Sequence, residues 1–351
     1  MEQTRACRAI ATLHARISGC ANQMGKTAIV DQHGSFLGVR NGRFILKVGG
    51  AMKWEASPVE LESIVITVEG AAISSAAISL AMTFGIDLVF MKGGRPVARL
   101  IPYKYGTVMR IWQLQLRCHE SGGSLFLARS FLEGKLHNQR MVLLEYARRL
   151  KGGGRDAGLL LAKAAEIEAA ASELGKAESV EDLLVIEGHA ARSYWAAVSS
   201  ILPPDIGFTH RYTRNNPPLG ELDAFNVALN IGYALLRKEV WRSIFLVGLN
   251  PYLGFLHKPR AGRPALVLDL MEEFRPIIVD RPLIGLARSN KEVFISLKQQ
   301  KEGAARSIWT HIINYMKEGK PPKNELILTQ ARRLVMHLQG HQRYMPYKSR
   351  W

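Results

Sequence analysis

The stretch "RPVARLIPYKYGTVMRIWQLQLRCHE", residues 95–120, changes character in its middle. "RPVARLI" reads as a short strand, bounded by Gly and Pro. From Val108 onward apolar residues recur every three to four positions, the signature of an amphipathic helix. The change falls in "IPYKYG", so a boundary is expected near residues 102–106.

Toward the N-terminus the strand texture continues. "TAIVD", "SFLGVR", "RFILKV", "SIVITV" and "IDLVFM" are rich in Val, Ile and Phe and end at turn residues. "RNGRF" predicts a tight hairpin, because Asn-Gly accepts the positive φ of a two-residue turn. One helix-like segment, "AISSAAISLAMTFG", interrupts the strands and ends at the C-cap glycine Gly85. Toward the C-terminus five long segments, 108–120, 124–150, 159–175, 180–202 and 221–248, carry helical periodicity. "KGGGRD" (151–156) and the Pro-rich "PPDIGFTHRYTRNNPPLG" (203–220) separate them, and no 20–50-residue repeat is evident. The expected class is α+β. An N-terminal extension (1–26) precedes a small β-rich domain (27–104) and a larger all-α domain (105–351).

At 351 residues, 47% apolar and 22% charged, the chain is long and apolar enough for a substantial core. Lys and Arg total 47 against 30 acids, a net charge of +17. Such an excess attracts phosphates and makes nucleic acid the leading partner. No apolar run approaches the roughly 20 residues that span a bilayer. Cys7, Cys20 and Cys118 form no CxxC pair, which fits a reducing cytoplasm rather than a zinc or disulfide framework. Arg5, Arg8 and Arg16 break up any signal-peptide core, so "ISGC" (17–20) is not read as a lipoprotein cleavage site. Residues 104–155 hold ten cations against three acids, and residues 331–351 hold five against none. Phosphate tracking is the preferred reading of part of this charge. For any single Arg a solvated face or an ion pair serves as well.

Within "LLVIEGHAARSYWAAV" (183–198) one carboxylate is out of place. Ser179 and Asp182 have capping-box spacing, so a helix starts near residue 180. Leu183, Glu187, Ala190, Ala191, Tyr194 and Val198 then share one stripe, turning Glu187 toward the core. An unpaired buried carboxylate costs several kcal/mol, so Glu187 needs a cation. A Glu–Arg pair and a bound ligand both satisfy it, and Gly188, Ala190 and Ala191 leave room for the second. Downstream, "GLNPYLGFLHKPRAGRPALVLDLMEEFRP" (248–276) sets His257 ahead of Asp269, Glu272 and Glu273. In a helix over 264–274, Asp269 and Glu272 are i, i+3 neighbours that repel unless a cation lies between them. One imidazole among carboxylates suits Mg²⁺ or Mn²⁺, although a lone histidine is more often a satisfied core residue.

These segments resemble a known family. "VIEGHAARSYW" (185–195), "DAFNVALNIGYALL" (223–236) and "NPYLGFLHKPRAGRPALVLDLMEEFRPIIVDRPL" (250–283) are similar to the CRISPR-associated adaptation integrases, the Cas-one family. So are "VDQHGSFLGVRNGRFIL", "ESIVITVEGAAISSAAI" and "GIDLVFMKGGRPVARL" at the front, and the resemblance runs from residue 27 to about 290. It implies a β-rich dimerisation domain and a helical catalytic domain. It also implies metal ligands at Glu187, His257 and Glu272, with Asp269 in support. Asn226, Asn230 and Tyr233 match a polar stripe facing the active site, with a structural role equally open. Arg237 stands where many relatives have Tyr.

The implied activity is Mg²⁺- or Mn²⁺-dependent phosphoryl transfer on double-stranded DNA: endonuclease action with water, and spacer joining to a CRISPR repeat with a DNA 3′-OH. The resemblance also implies homodimers working with a small second adaptation protein. Arg110, Arg117 and Lys258 are the expected phosphate contacts. A transposon-borne relative and a non-catalytic DNA scaffold are the alternatives. The first of these usually carries extra C-terminal DNA-binding segments, and the second would not need all three ligand positions.

Overall fold

The computed structural model describes residues 26–93, 95–100, 107–212, 218 and 220–350. The extension, with Cys7 and Cys20, the boundary residues 101–106 and part of the Pro-rich loop lie outside them. The chain forms two compact units, residues 1–106 and 107–351.

The first unit carries β1 (Lys26–Val30), β2 (Ser35–Arg40), β3 (Arg43–Val48), β4 (Ala51–Ala56), β5 (Leu61–Ile66), β6 (Ala72–Ile73), α1 (Ser75–Phe84), β7 (Asp87–Lys92) and β8 (Arg95–Leu100). They make two four-stranded sheets, ordered β1-β5-β7-β8 and β4-β3-β2-β6. Parallel pairing of β5 with β1 and β7 buries consecutive Ile64, Val65 and Ile66, the continuous apolar run of a strand covered on both faces. Asn41 (φ 51) and Gly42 (φ 71) form the expected hairpin turn between β2 and β3. Two strands depart from the reading. "AMKWEA" has no β-branched residue, yet pairing with β3 makes it β4. Ala72–Ile73, expected at the head of a helix, pairs with β2 instead. The helix begins after Ser74, whose side chain accepts from the Ala77 N–H, and ends at Gly85 in the left-handed region.

The second unit is helical: α2 (Thr107–Glu120), α3 (Gly123–Gly152), α4 (Gly158–Glu173), α5 (Val180–Ile201), α6 (Ala224–Leu246), α7 (Ala265–Met271), α8 (Arg281–Ser289), α9 (Glu292–Lys298), α10 (Ala304–Lys317) and α11 (Lys323–Leu338). The α+β class expected from the sequence holds. No helix among the described residues is long and apolar enough to cross a membrane.

Helix α3 is the axis of this unit. Leu127, Phe131, Leu136, Val142, Leu143 and Tyr146 cover about half of its circumference and are all buried, a wider apolar face than a surface helix presents. Its buried face also carries Lys135, Asn138, Gln139 and Glu145, and buried polar groups need partners. The helix expected over 264–274 stops at Met271. A turn through Glu272–Phe274 leads into a wide π-helical segment, Arg275–Asp280. Pro276 and Pro282 remove two N–H donors there, so the i→i−4 ladder cannot run through.

This segment packs on α6 at Gly232, where an added Cβ would sit 2.4 Å from Val279 Cγ1. Gly232→Ala is therefore expected to lower stability by about 1–3 kcal/mol. A denaturant midpoint equal to that of the native chain would show that the two elements can part without cost.

Candidate active site

The helical unit contains a cleft of about 1220 Å³, to which α3, α5, α6, α7 and the loops ahead of α6 and α7 contribute. The capping box at Ser179–Asp182 starts α5 as expected, and the stripe through Leu183, Ala190, Tyr194 and Val198 is buried or nearly so. Glu187, on that stripe, opens into the cleft with its side chain 23% exposed. Glu272 reaches the same place from the turn after α7, with only 5% exposed.

Between them stands Lys135 of α3. Its Nζ lies 2.6 Å from Glu187 Oε1 and 2.6 Å from Glu272 Oε2. Arg275 Nη2 approaches the other Glu272 oxygen at 3.2 Å. Burial pushes the Glu272 carboxyl up, but the charges of Arg275, Lys135 and His257 outweigh it and hold the group at about 2. Burial likewise pulls the Lys135 ammonium down, and Glu187 and Glu272 more than reverse it, leaving it raised. Glu272 Oε2 is fully buried and meets the ammonium of Lys135. Of the two satisfactions open to Glu187 in the sequence, the ion pair is present, with Lys in place of Arg.

His257 lines the cleft, and Asp269 positions it. The fully buried Asp269 accepts the backbone N–H groups of Phe255, Leu256 and His257 at 2.5, 3.0 and 2.9 Å. Its Oδ1 lies 2.7 Å from His257 Nδ1. A carboxylate only accepts, so Nδ1 carries a hydrogen and Nε2 is turned to the opposite side of the ring. Among the described residues Nε2 has no hydrogen-bond partner. Gly254 makes this turn possible, since a Cβ there would fall 2.8 Å from Asp269 Oδ2. The expectation that Asp269 and Glu272 repel across a shared cation is therefore corrected. Three amide N–H groups and an imidazole donate to Asp269, and of these two acids only Glu272 meets the ammonium.

The expected polar stripe of α6 divides. Asn226 is fully buried and structural, donating to His210 O and accepting from Arg211 and the Tyr212 N–H. Asn230 and Tyr233 line the cleft. Asn230 Oδ1 accepts from Arg211 Nη2 at 2.7 Å, and the Tyr233 hydroxyl donates to Asp280 Oδ1 at 2.6 Å. Arg211 and Arg275 lie over the Tyr233 ring, 5.3 and 5.0 Å from its centroid. Burial pushes Asp280 up to about 6, against the hydroxyls of Tyr233 and Tyr194 and the charges of Arg275 and Arg211.

Six cations line this cleft (Lys135, Arg192, Arg211, Arg237, Arg263 and Arg275) against the acids Glu187 and Asp280. The phosphate contacts expected from the sequence are not among them. Arg110 and Arg117 lie on the exposed face of α2, and Lys258 pairs with Glu181 at the surface. Sequence reasoning missed Lys135, Arg211 and Arg275. Lys135 was within reach: with Ala128, Phe131, Asn138 and Val142 it occupies the buried register of α3, the argument already made for Glu187.

Two carboxylates and an imidazole thus stand in a cleft whose cations attract a polyanion. Comparison with known proteins gives the family. The model for "CRISPR associated protein Cas1" matches residues 28–303, and the chain belongs to that family. A CRISPR-associated endonuclease Cas1 of Saccharolobus solfataricus is 39% identical over 322 residues, 92% of this chain and 84% of the relative. In fold the chain is similar to a casposase bound to integration product (TM-score 0.76, 23% identity, 92% of this chain and 98% of that one). It is also similar to a chain of a partial Cas6-RT-Cas1–Cas2 complex (TM-score 0.69, 20% identity, 93% and 100%).

Proposed function

We propose that this chain is a divalent-metal-dependent DNA endonuclease and integrase of CRISPR adaptation. The observation that carries this reading is the convergence of Glu187 and Glu272 on one cation position, with His257 set beside them by Asp269. Among the described residues no three acids or histidines are grouped to cage an ion as they stand, and the ammonium of Lys135 lies between the two carboxylates. The donor set still fits a hard divalent ion. It offers two carboxylates that meet at one cation position and an imidazole whose far nitrogen is oriented by a carboxylate.

Glu187, His257 and Glu272 would hold Mg²⁺ or Mn²⁺. Such an ion polarises a scissile phosphate and activates the attacking oxygen. Arg211 and Arg275, braced on the Tyr233 ring, are placed to hold the phosphate charge, and Asn230 fixes Arg211. Attack by a DNA 3′-OH forms one phosphodiester as another breaks and its 3′-oxygen leaves with a proton. Attack by water gives cleavage at the same site.

In this reading double-stranded DNA is the substrate and the small Cas2-type adaptation protein the partner, as the name of the related Cas1–Cas2 assembly supports. The β unit is the dimerisation surface. Ile29, Phe36, Met52, Val59, Phe84, Val97 and Leu100 are each more than a third exposed on it, apolar side chains for a second copy to cover. Fold alone fits a casposase equally well. The 39% identity to a CRISPR-associated endonuclease favours spacer insertion over transposition.

The deciding experiment is strand transfer of a short duplex into a repeat-bearing plasmid with the partner protein, in Mn²⁺ and in chelator. Joining at repeat ends in Mn²⁺ alone is expected, and its absence in both would refute the integrase reading. DNA affinity is also expected to fall steeply with salt, log K declining by about 0.9 per phosphate neutralised against log salt. A flat response would rule out a phosphate-dominated interface.

A further inference from the structure

Lys135 is nine-tenths buried on α3, and its single ammonium ties carboxylates from two other elements. With Arg275 on Glu272, two cations already balance two carboxylates. A divalent ion entering beside both would leave a surplus of two positive charges in a buried place, which is costly unless one resident cation leaves. One turn along the same helix, Gln139 lines the same cleft. It is 2% exposed, and its Oε1 is buried without a hydrogen-bond partner. A lone buried acceptor is unfavourable and calls for an explanation. Residues i and i+4 lie one above the other on a helix face, within reach of a lysine stem.

We propose that Lys135 is a resident counter-cation that exchanges with the divalent ion, leaving Glu187 and Glu272 and moving one turn to Gln139 Oε1. This rests on the metal reading above. The ammonium keeps the carboxylates charged and in place while the site holds no ion. It also competes with the ion for them, and Gln139 lowers the cost of displacing it.

Calorimetric titration of Mn²⁺ into the full-length chain tests the exchange through two variants with opposite expected signs. Lys135→Met removes the competitor and is expected to bind Mn²⁺ about tenfold more tightly. Its melting temperature falls in chelator and rises on adding Mn²⁺ by more than that of the native chain. Gln139→Leu removes the receiving oxygen and is expected to bind Mn²⁺ several-fold more weakly. A merely structural lysine would not give this pair of signs. Native or weaker affinity in a folded Lys135→Met overturns the exchange. Native affinity in Gln139→Leu overturns the role of Gln139 as receiver. Should Lys135→Met unfold in chelator, recovery of its melting transition by Mn²⁺ supports the exchange, and failure to recover overturns it. If the native chain itself binds no Mn²⁺, the metal reading falls, a result distinct from any of these.

Discussion

Glu187→Ala and His257→Ala are each expected to abolish Mn²⁺-dependent cleavage and spacer joining while DNA binding persists. The loss should exceed the roughly 10–100-fold that removal of an orienting partner costs at a metal site. Asp269→Asn, which turns an NH₂ toward the N–H donors of the Phe255–His257 turn and so shifts His257 through that turn, should fall within that range. Binding survives because at least five of the six cations lining the cleft keep their present surroundings in either variant. The fold survives because Glu187 is partly exposed and Lys135 keeps its contact with Glu272. Glu272→Ala is a poorer probe, since it leaves Lys135 and Arg275 short of a buried counter-charge, a loss of about 3–5 kcal/mol. Cleavage and strand-transfer assays beside fluorescence anisotropy on a labelled duplex separate chemistry from affinity. Native activity in either alanine variant would remove that residue from the site.

What could be read from the chain was whatever depends on local order. The Ser179–Asp182 cap, the stripe beneath Glu187, the Asn41–Gly42 hairpin and the change of texture before α2 all follow from rules acting over a few residues. β4 escaped because its composition favours helix and only pairing with β3 overrides it. The chemistry of the cleft was legible as a list of acids and a histidine, but not as a set of partners. Lys135 and Glu187 are 52 positions apart, and Tyr194 and Asp280 are 86 apart. Asp269 was misjudged for a related reason. Backbone amides leave no trace in a sequence, so a carboxylate that accepts from three of them looks unpaired. The π-helical turn at Arg275–Asp280 was hidden in the same way: two prolines announce an interruption but not the wide turn that brings Asp280 to Tyr233.

The adjacent acid, Glu273, is expected to lower stability as pH rises between about 4.5 and 7, in addition to the fall that Asp280 gives up to about 6. It points away from the cleft, fully buried, into the C-terminal segment. The Tyr344 hydroxyl, the Tyr347 N–H and Gln330 Nε2 donate to it at 2.5, 2.7 and 3.0 Å. Asn138 binds the same segment at Tyr347 O and Ser349, and Gly134 leaves room where a Cβ would meet Glu273 and Pro346 at 3.0 Å. Burial pushes the Glu273 carboxyl up to about 7, more than these hydrogen bonds and Arg333 pull it down. The unfolded carboxyl releases its proton near 4.5. Between these values the folded chain binds the proton and the unfolded chain does not. Stability therefore falls as pH rises through this window and levels off above it, by about 3 kcal/mol in all. Glutamine resembles the protonated carboxyl, so Glu273→Gln should lie close to the native chain near pH 5 and lose the part of the slope that Glu273 contributes. By pH 8 it should be the more stable of the two by a similar amount. Urea unfolding of both chains at pH 5 and 8 measures the difference directly. Asp280, raised to about 6, titrates in both and cancels. Parallel stability curves would mean that Glu273 stays ionised in its pocket, with the donors from the C-terminal segment outweighing its burial.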